Sequence, residues 1–394
     1  MRGYVNGAPS AVPPRRGGWR GRRVRLSNPP APAPPALYEQ AVDRVVGRLK
    51  GAEGVVAVYQ IGHVGAPGIS DIDLLAVFED GATCEVDPLA DLPERERRLF
   101  THAVFGTSVG AFRDVQRYTL YHNYRLLWGQ PHGEGGVGPQ GLLLDELRRQ
   151  IALEFLLACY ISRTIEAVYG VVSVRGLLLS VNALRYDLEF LRITSGELHA
   201  LVHQLVAWRG RWFERPVGGG ELAGWFEAFY PALHAALAAL LAERRLLLPP
   251  WASEVYARNV RLRRADALGY DHTGVVLPPA LTALGKRAFR ALHRMNRFVF
   301  GVPCVWENSS VLAQGSQAPE LLPFMEERFR AFERMNRYNR VHLRHFAPLS
   351  GSLSRLFVGA AEGHTQPPSA AVPDSGTPSA RAPRPRAEQG HTER

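Results

Sequence analysis

Residues 61–78 read IGHVGAPGISDIDLLAVF. Glycine or proline stands at 62, 65, 67 and 68, so the chain turns there, and Asp71 and Asp73 follow just before the apolar run 74–78. Side chains of a strand alternate between faces, so Asp71 and Asp73 project to one side while Ile72 and Leu74 enter a core. The run LLAVF is apolar on both parities and predicts a strand buried on both faces, with VVAVYQI at 55–61 as the strand before it. Two converging carboxylates suit Mg²⁺, which takes oxygen ligands and shares them with substrate phosphates and water. Gly62, Gly65 and Gly68 lack Cβ atoms and can bring backbone N–H groups close to phosphate oxygens. Taken alone, an Asp-x-Asp is also what a solvated acidic turn looks like, so both readings stand at this point.

Working outward, Tyr38, Val42, Val45 and Leu49 share a helical face and predict a helix over 37–50, stopped at Gly51. Short strands are predicted at 102–106 and 124–129, followed by a glycine-rich linker over 131–141. The 37–130 region is thus a small mixed-sheet α/β (α+β) domain. From 142 the period becomes helical, with one long helix to about Tyr169 and a stripe at Leu177, Val181, Leu184, Leu188 and Leu191. Thr194 and Glu197 form a capping-box pattern ahead of Leu198. A mostly α-helical domain is expected over 142–346, with Trp208, Trp225 and Phe229 in its core.

The formal charge of +10 is unevenly placed: residues 1–36 hold seven arginines and no acid, which leaves only +3 elsewhere because residues 360–394 are balanced. That first segment also holds eight prolines and reads as a disordered basic arm, with a similar proline-rich tail over 360–394. A folded part this close to neutrality argues against a processive polymerase on a nucleic-acid track. Three cysteines without a Cys-x-x-Cys arrangement exclude a disulfide framework or a thiolate metal cluster. No apolar run approaches the ~20 residues of a membrane span, so a cytoplasmic protein with no membrane partner is expected. FRALHRMNRF at 289–298 and FRAFERMNRY at 329–338 agree at seven of ten positions. Arg294 and Arg297 in one copy, and Arg334 and Arg337 in the other, are candidate basic contacts, against the plainer reading of solvated helix faces.

The order strand, glycine-rich turn, Ser70-Asp71-Ile72-Asp73 and buried strand resembles nucleotidyltransferases of the DNA polymerase beta superfamily. The resemblance covers about 37–130 and is sharp only over 62–74. It implies a nucleoside triphosphate held on the turn by Gly62, His63, Gly65 and Ser70, with Asp71 and Asp73 as catalytic residues and ligands of two Mg²⁺ ions. The implied reaction transfers a nucleoside monophosphate to an acceptor, a small molecule or a protein, and expels pyrophosphate.

Two departures stand out. His63 occupies the place where that family has Ser after Gly62, and an imidazole is bulkier than a hydroxyl and titrates near neutrality. The strand expected to carry a third carboxylate, THAVFG at 101–106, contains no acid, and His102 is its one ionisable side chain. Asp114, the nearest acid downstream, is the candidate for the missing group, although its segment has helical character. Two further functions therefore stay open: a catalytically impaired nucleotide-binding or regulatory protein on the same fold, and a nucleic-acid binder using the arm and the paired RMNR helices.

Overall fold

The computed structural model describes residues 24–118, 123–132, 140–243, 252–257, 260–264, 270–273, 320–349 and 356–360. A short strand β1 (Arg25–Ser27) precedes helix α1 (Pro35–Lys50), which starts two residues earlier than its apolar stripe suggests because Pro35 is preorganised for the first helical turn. Strands β2 (Val55–Ile61) and β3 (Asp73–Phe78) take the predicted positions. A short helix α2 (Glu94–Arg97) then leads to β4 (Phe105–Ser108), shifted C-terminally from 102–106, followed by α3 (Val109–Gln116) and β5 (Tyr124–Gly129).

The long helix α4 (Gly141–Tyr169) ends at Gly170, whose φ of 61° places it in the left-handed cap conformation. Strand β6 (Val171–Ser173) and helix α5 (Val174–Phe190) follow, the Ser173 hydroxyl accepting from Gly176 N–H to cap the helix. Helix α6 (Glu197–Gly210) is not opened by a capping box: Gly196, at φ 90°, holds the N-cap position without a side-chain bond. Helix α7 (Gly219–Glu243) precedes strands β7 (Ala252–Ala257), β8 (Val260–Arg264) and β9 (Tyr270–Thr273). The last described elements are α8 (Leu321–His342), β10 (Ala347–Pro348) and β11 (Leu356–Ala360).

The molecule is mixed α/β with a small mixed sheet in the order β10-β4-β3-β2-β5. Strand β2 pairs antiparallel with both β3 and β5, whereas β3 runs parallel to β4, and β4 to β10. Strand parity separates two cores. Ile72, Leu74, Ala76 and Phe78 pack with α1, Leu99 and Phe100, while Leu75 and Val77 face a larger core shared with α4 to α8. Asp73 at the start of β3 has the parity of Leu75 and Val77, so it lies on the face of the larger core. Trp208, Trp225 and Phe229 are buried in this larger core, with Trp225 and Phe229 stacked 4.6 Å apart.

Two expectations about the layout need correction. Residues 24–36 are not wholly an unstructured arm, because β1 pairs in parallel with β6 and Pro35 opens α1. Among its described residues the region 142–346 is mostly helical and also contains β6 and the strands β7, β8 and β9, which β11 joins from beyond it. It does not simply follow the first domain: α8 returns to β4, where Asn339 donates to the Gly106 carbonyl at 2.9 Å. An apolar core spanning sheet and helices favours this closure over a linear two-domain layout. Residues 133–139 of the linker and 361–394 of the tail lie outside the described residues. Among the described residues no helix is long and apolar enough to cross a membrane.

Candidate metal centre

Strand register assembles the site. Ile61 pairs with Asp73, so the turn that begins at Gly62 leaves the sheet beside the acids. Leu75 pairs with Phe105 across parallel strands, so stepping back along both chains brings Asp73 next to the segment 101–103. Ile72 N–H donates to Leu99 O at 3.1 Å and fixes the approach of that segment. Asp71, Asp73 and His102 each then offer a ligand atom within 4.8 Å of the other two, and this cluster can hold a metal ion.

His102 Nε2 lies 2.7 Å from Asp73 Oδ1, and its Nδ1 lies 2.7 Å from Ala103 O. A carbonyl only accepts, so Nδ1 carries a proton. A proton on Nε2 as well would make His102 an imidazolium that donates to Asp73 Oδ1. Burial pushes the His102 pKa down, but the hydrogen bond and charge of Asp73, the Ala103 carbonyl and the charge of Asp71 outweigh it and raise the pKa overall. Metal binding at Nε2 would displace that proton while the Ala103 carbonyl keeps the ring oriented. Burial and the charge of Asp73 raise the Asp71 pKa, opposed by the hydrogen bond its Oδ2 accepts from the Thr101 hydroxyl. Like charges held together in a half-sealed place are what a divalent cation relieves.

The turn is built from outside as well as within. Arg175 at the start of α5 donates to Ile69 O at 3.0 Å, to Ser70 O at 2.9 Å and to Leu99 O at 3.4 Å, and also to Arg98 O. One guanidinium thereby ties the chain leading into Asp71 to the chain leading into Thr101 and His102. Tyr38 adds a second tie: its hydroxyl donates to Ser70 O and accepts from Gly68 N–H, both at 2.8 Å.

These contacts correct part of the expected phosphate cradle. The Ser70 hydroxyl is buried and accepts from Ala66 N–H and Arg209 Nη2, each at 3.0 Å, so it organises the turn instead of facing a phosphate. Gly68, at φ 87°, is a packing glycine, because a Cβ there would lie 2.4 Å from Ala31 O and 2.6 Å from the Phe213 ring. The Gly62 N–H is engaged by Asn123 O at 3.1 Å. His63 and Gly65 remain exposed, with the imidazole resting over the glycine, whose absent Cβ gives the ring room.

No family model, curated protein or solved structure matches the chain.

Asp114, the candidate third acid, lies on α3 and pairs with Arg334 at 3.2 Å, outside the cluster. The third member is His102, which the sequence identifies as the ionisable side chain of its segment without linking it to the acids. Arg334 and Arg337 already have carboxylate partners, Asp114 and Glu333. They form an ion-paired face of α8 whose opposite side buries Phe329, Phe332 and Met335. Arg294 and Arg297 lie outside the described residues.

Proposed function

We propose that this protein is a metal-dependent nucleotidyltransferase that moves a nucleoside monophosphate from a nucleoside triphosphate to a small-molecule or protein hydroxyl. The observation that carries this reading is the convergence of Asp71, Asp73 and His102 at one end of the mixed sheet, beside the turn that begins at Gly62. The sheet around it supports this reading: Asp73 opens β3, which pairs antiparallel with β2 and parallel with β4, and Asp71 stands two residues before it.

In the proposed step the acceptor oxygen attacks the α-phosphorus, the bond from that phosphorus to the leaving oxygen breaks, and pyrophosphate departs. The acceptor proton passes to a carboxylate oxygen of the cluster. A bound divalent cation supplies charge neutralisation and orients the phosphate oxygens. Asp71 and Asp73 provide the hard oxygen ligands that suit Mg²⁺. With His102 as a third ligand the set suits Mn²⁺ equally, because imidazole is the softer donor. Thr101 holds one Asp71 oxygen, and the Ala103 carbonyl holds the His102 ring.

The test is release of pyrophosphate from each nucleoside triphosphate with Mg²⁺ or Mn²⁺, over a panel of hydroxyl acceptors. Asp71→Asn and Asp73→Asn should each abolish it, and release that persists in both variants would falsify the proposal. The ion pair between His102 and Asp73 favours a second reading, a nucleotide-binding protein without turnover, in which the histidine neutralises a metal ligand. Tight, metal-dependent nucleotide binding with no product in the same assay selects that reading.

A further inference from the structure

Arg185 on α5 and Arg209 on α6 are not explained by metal binding. The two helices pack against each other, and Arg209 reaches the residue next to Asp71 through its bond to the Ser70 hydroxyl at 3.0 Å. Its Nε is buried and has no hydrogen-bond partner among the described residues, and the same is true of Arg185 Nε. Arg185 stands over the Tyr186 ring, 4.4 Å from its centroid, and donates from Nη2 to the Tyr186 hydroxyl.

A buried guanidinium N–H without an acceptor is costly, and two such groups in neighbouring like charges compound the cost. Burial depresses the Arg209 pKa, Arg185 depresses it further, and Asp71, Tyr38 and Tyr186 only partly offset this. Asp71 is one source of compensation, but its Oδ2 is already engaged by Thr101. An anion with several acceptor oxygens would offset the charge of both arginines, and the guanidinium fork matches phosphate in geometry and charge.

We propose that Arg185 and Arg209 form a binding site for phosphate-class oxyanions that takes the polyphosphate chain of the nucleotide beside the Asp71, Asp73 and His102 cluster. The assignment of the anion to a nucleotide rests on the proposed function; the binding of an oxyanion does not. The site requires no metal, which separates it experimentally from the carboxylate cluster.

The experiment is calorimetric titration of the full chain with inorganic tripolyphosphate in the presence of EDTA. The wild type should bind, and Arg185→Gln and Arg209→Gln should each weaken binding by about tenfold or more, the scale of one charge-assisted hydrogen bond. Asp71→Asn should bind as tightly as the wild type or more tightly, since a nearby negative charge is gone. Arg209→Gln also loses the tie to Ser70, so Arg185→Gln, whose side chain bonds only Tyr186 among the described residues, is the decisive variant. Absence of metal-free binding, or unchanged affinity in Arg185→Gln, overturns the proposal. Arginine-dependent binding without any nucleotidyl transfer leaves this site standing and removes the transferase reading.

Discussion

Charged groups meet in two regions of this molecule with opposite outcomes. Arg328 on α8 and Glu154 on α4 form a sealed pair, with bonds of 2.7 and 2.8 Å from the two ends of the guanidinium to the two carboxylate oxygens and both side chains at 0% exposure. At the start of β3, Asp73 and His102 are 34% and 35% exposed, and Asp71 adds a second carboxylate beside them. The sealed pair is matched in charge and geometry and joins two helices. The open cluster holds like charges together and has room for another ligand. The difference between structural and functional charge here lies in stoichiometry and access.

The contrast can be broken most forcefully at the sealed pair. Glu154→Ala or Arg328→Ala should lower unfolding free energy by about 3–5 kcal/mol, because the remaining buried charge loses its two-bond ion pair. Urea denaturation measures this, and joint replacement by Leu and Met should recover most of the loss. A single variant as stable as the wild type would contradict the sealed assignment.

At the open cluster the effect should fall on binding. Asp71→Asn or Asp73→Asn is expected to weaken Mn²⁺ affinity by more than about 100-fold, since even the outer partners of ligands typically account for about 10–100-fold. Thermal stability of Asp71→Asn should be unchanged or higher, as burial and like-charge repulsion are relieved, whereas Asp73→Asn also gives up its charged contact with His102. Severe unfolding in both would mean that these acids serve the fold.

A smaller effect is expected from Arg175→Met, which removes the clamp between the two segments that deliver the cluster. Its Mn²⁺ affinity should drop by about 10–100-fold with the acids themselves intact. Arg175→Lys should recover only part of this, because an ammonium cannot span carbonyls of both segments as the fork does. Equal affinity in all three proteins would show that the clamp does not position the site.

The smallest effect concerns Asp187 on α5, whose carboxyl is buried with Oδ1 unpartnered among the described residues. Burial raises its pKa well above the ordinary carboxylate value. Between the unfolded and folded pKa values the native state holds more protons, so this group makes stability fall as pH rises through that window. Asp187→Asn should remove the fall and gain about 1.4 kcal/mol at pH 8 for each unit by which the pKa is raised. Urea unfolding at pH 5 and pH 8 checks the sign, and parallel pH profiles for variant and wild type would refute it.

Much of the sheet was legible because its signals are local. The runs 55–61 and 124–129 coincide with β2 and β5, and the apolar parity of 74–78 is realised as burial on two faces. The stripe from Leu177 to Leu188 is buried along α5. Local signals also misled where packing overrode them. Thr194 and Glu197 fit a capping box, yet Gly196 occupies the cap. Gly68 fits a phosphate-binding turn, yet its bare backbone receives Ala31 and Phe213.

The shared side of Asp71 and Asp73 ahead of a buried strand is legible in the chain, because strand alternation is a property of neighbouring residues. That His102 completes the cluster, that Arg175 clamps its two approaches and that Arg209 reaches Ser70 follows from the packing of distant segments. These contacts join residues 29, 105 and 139 positions apart. Separations of that size are closed by strand register and by the shared packing of sheet and helices, and no local periodicity encodes them.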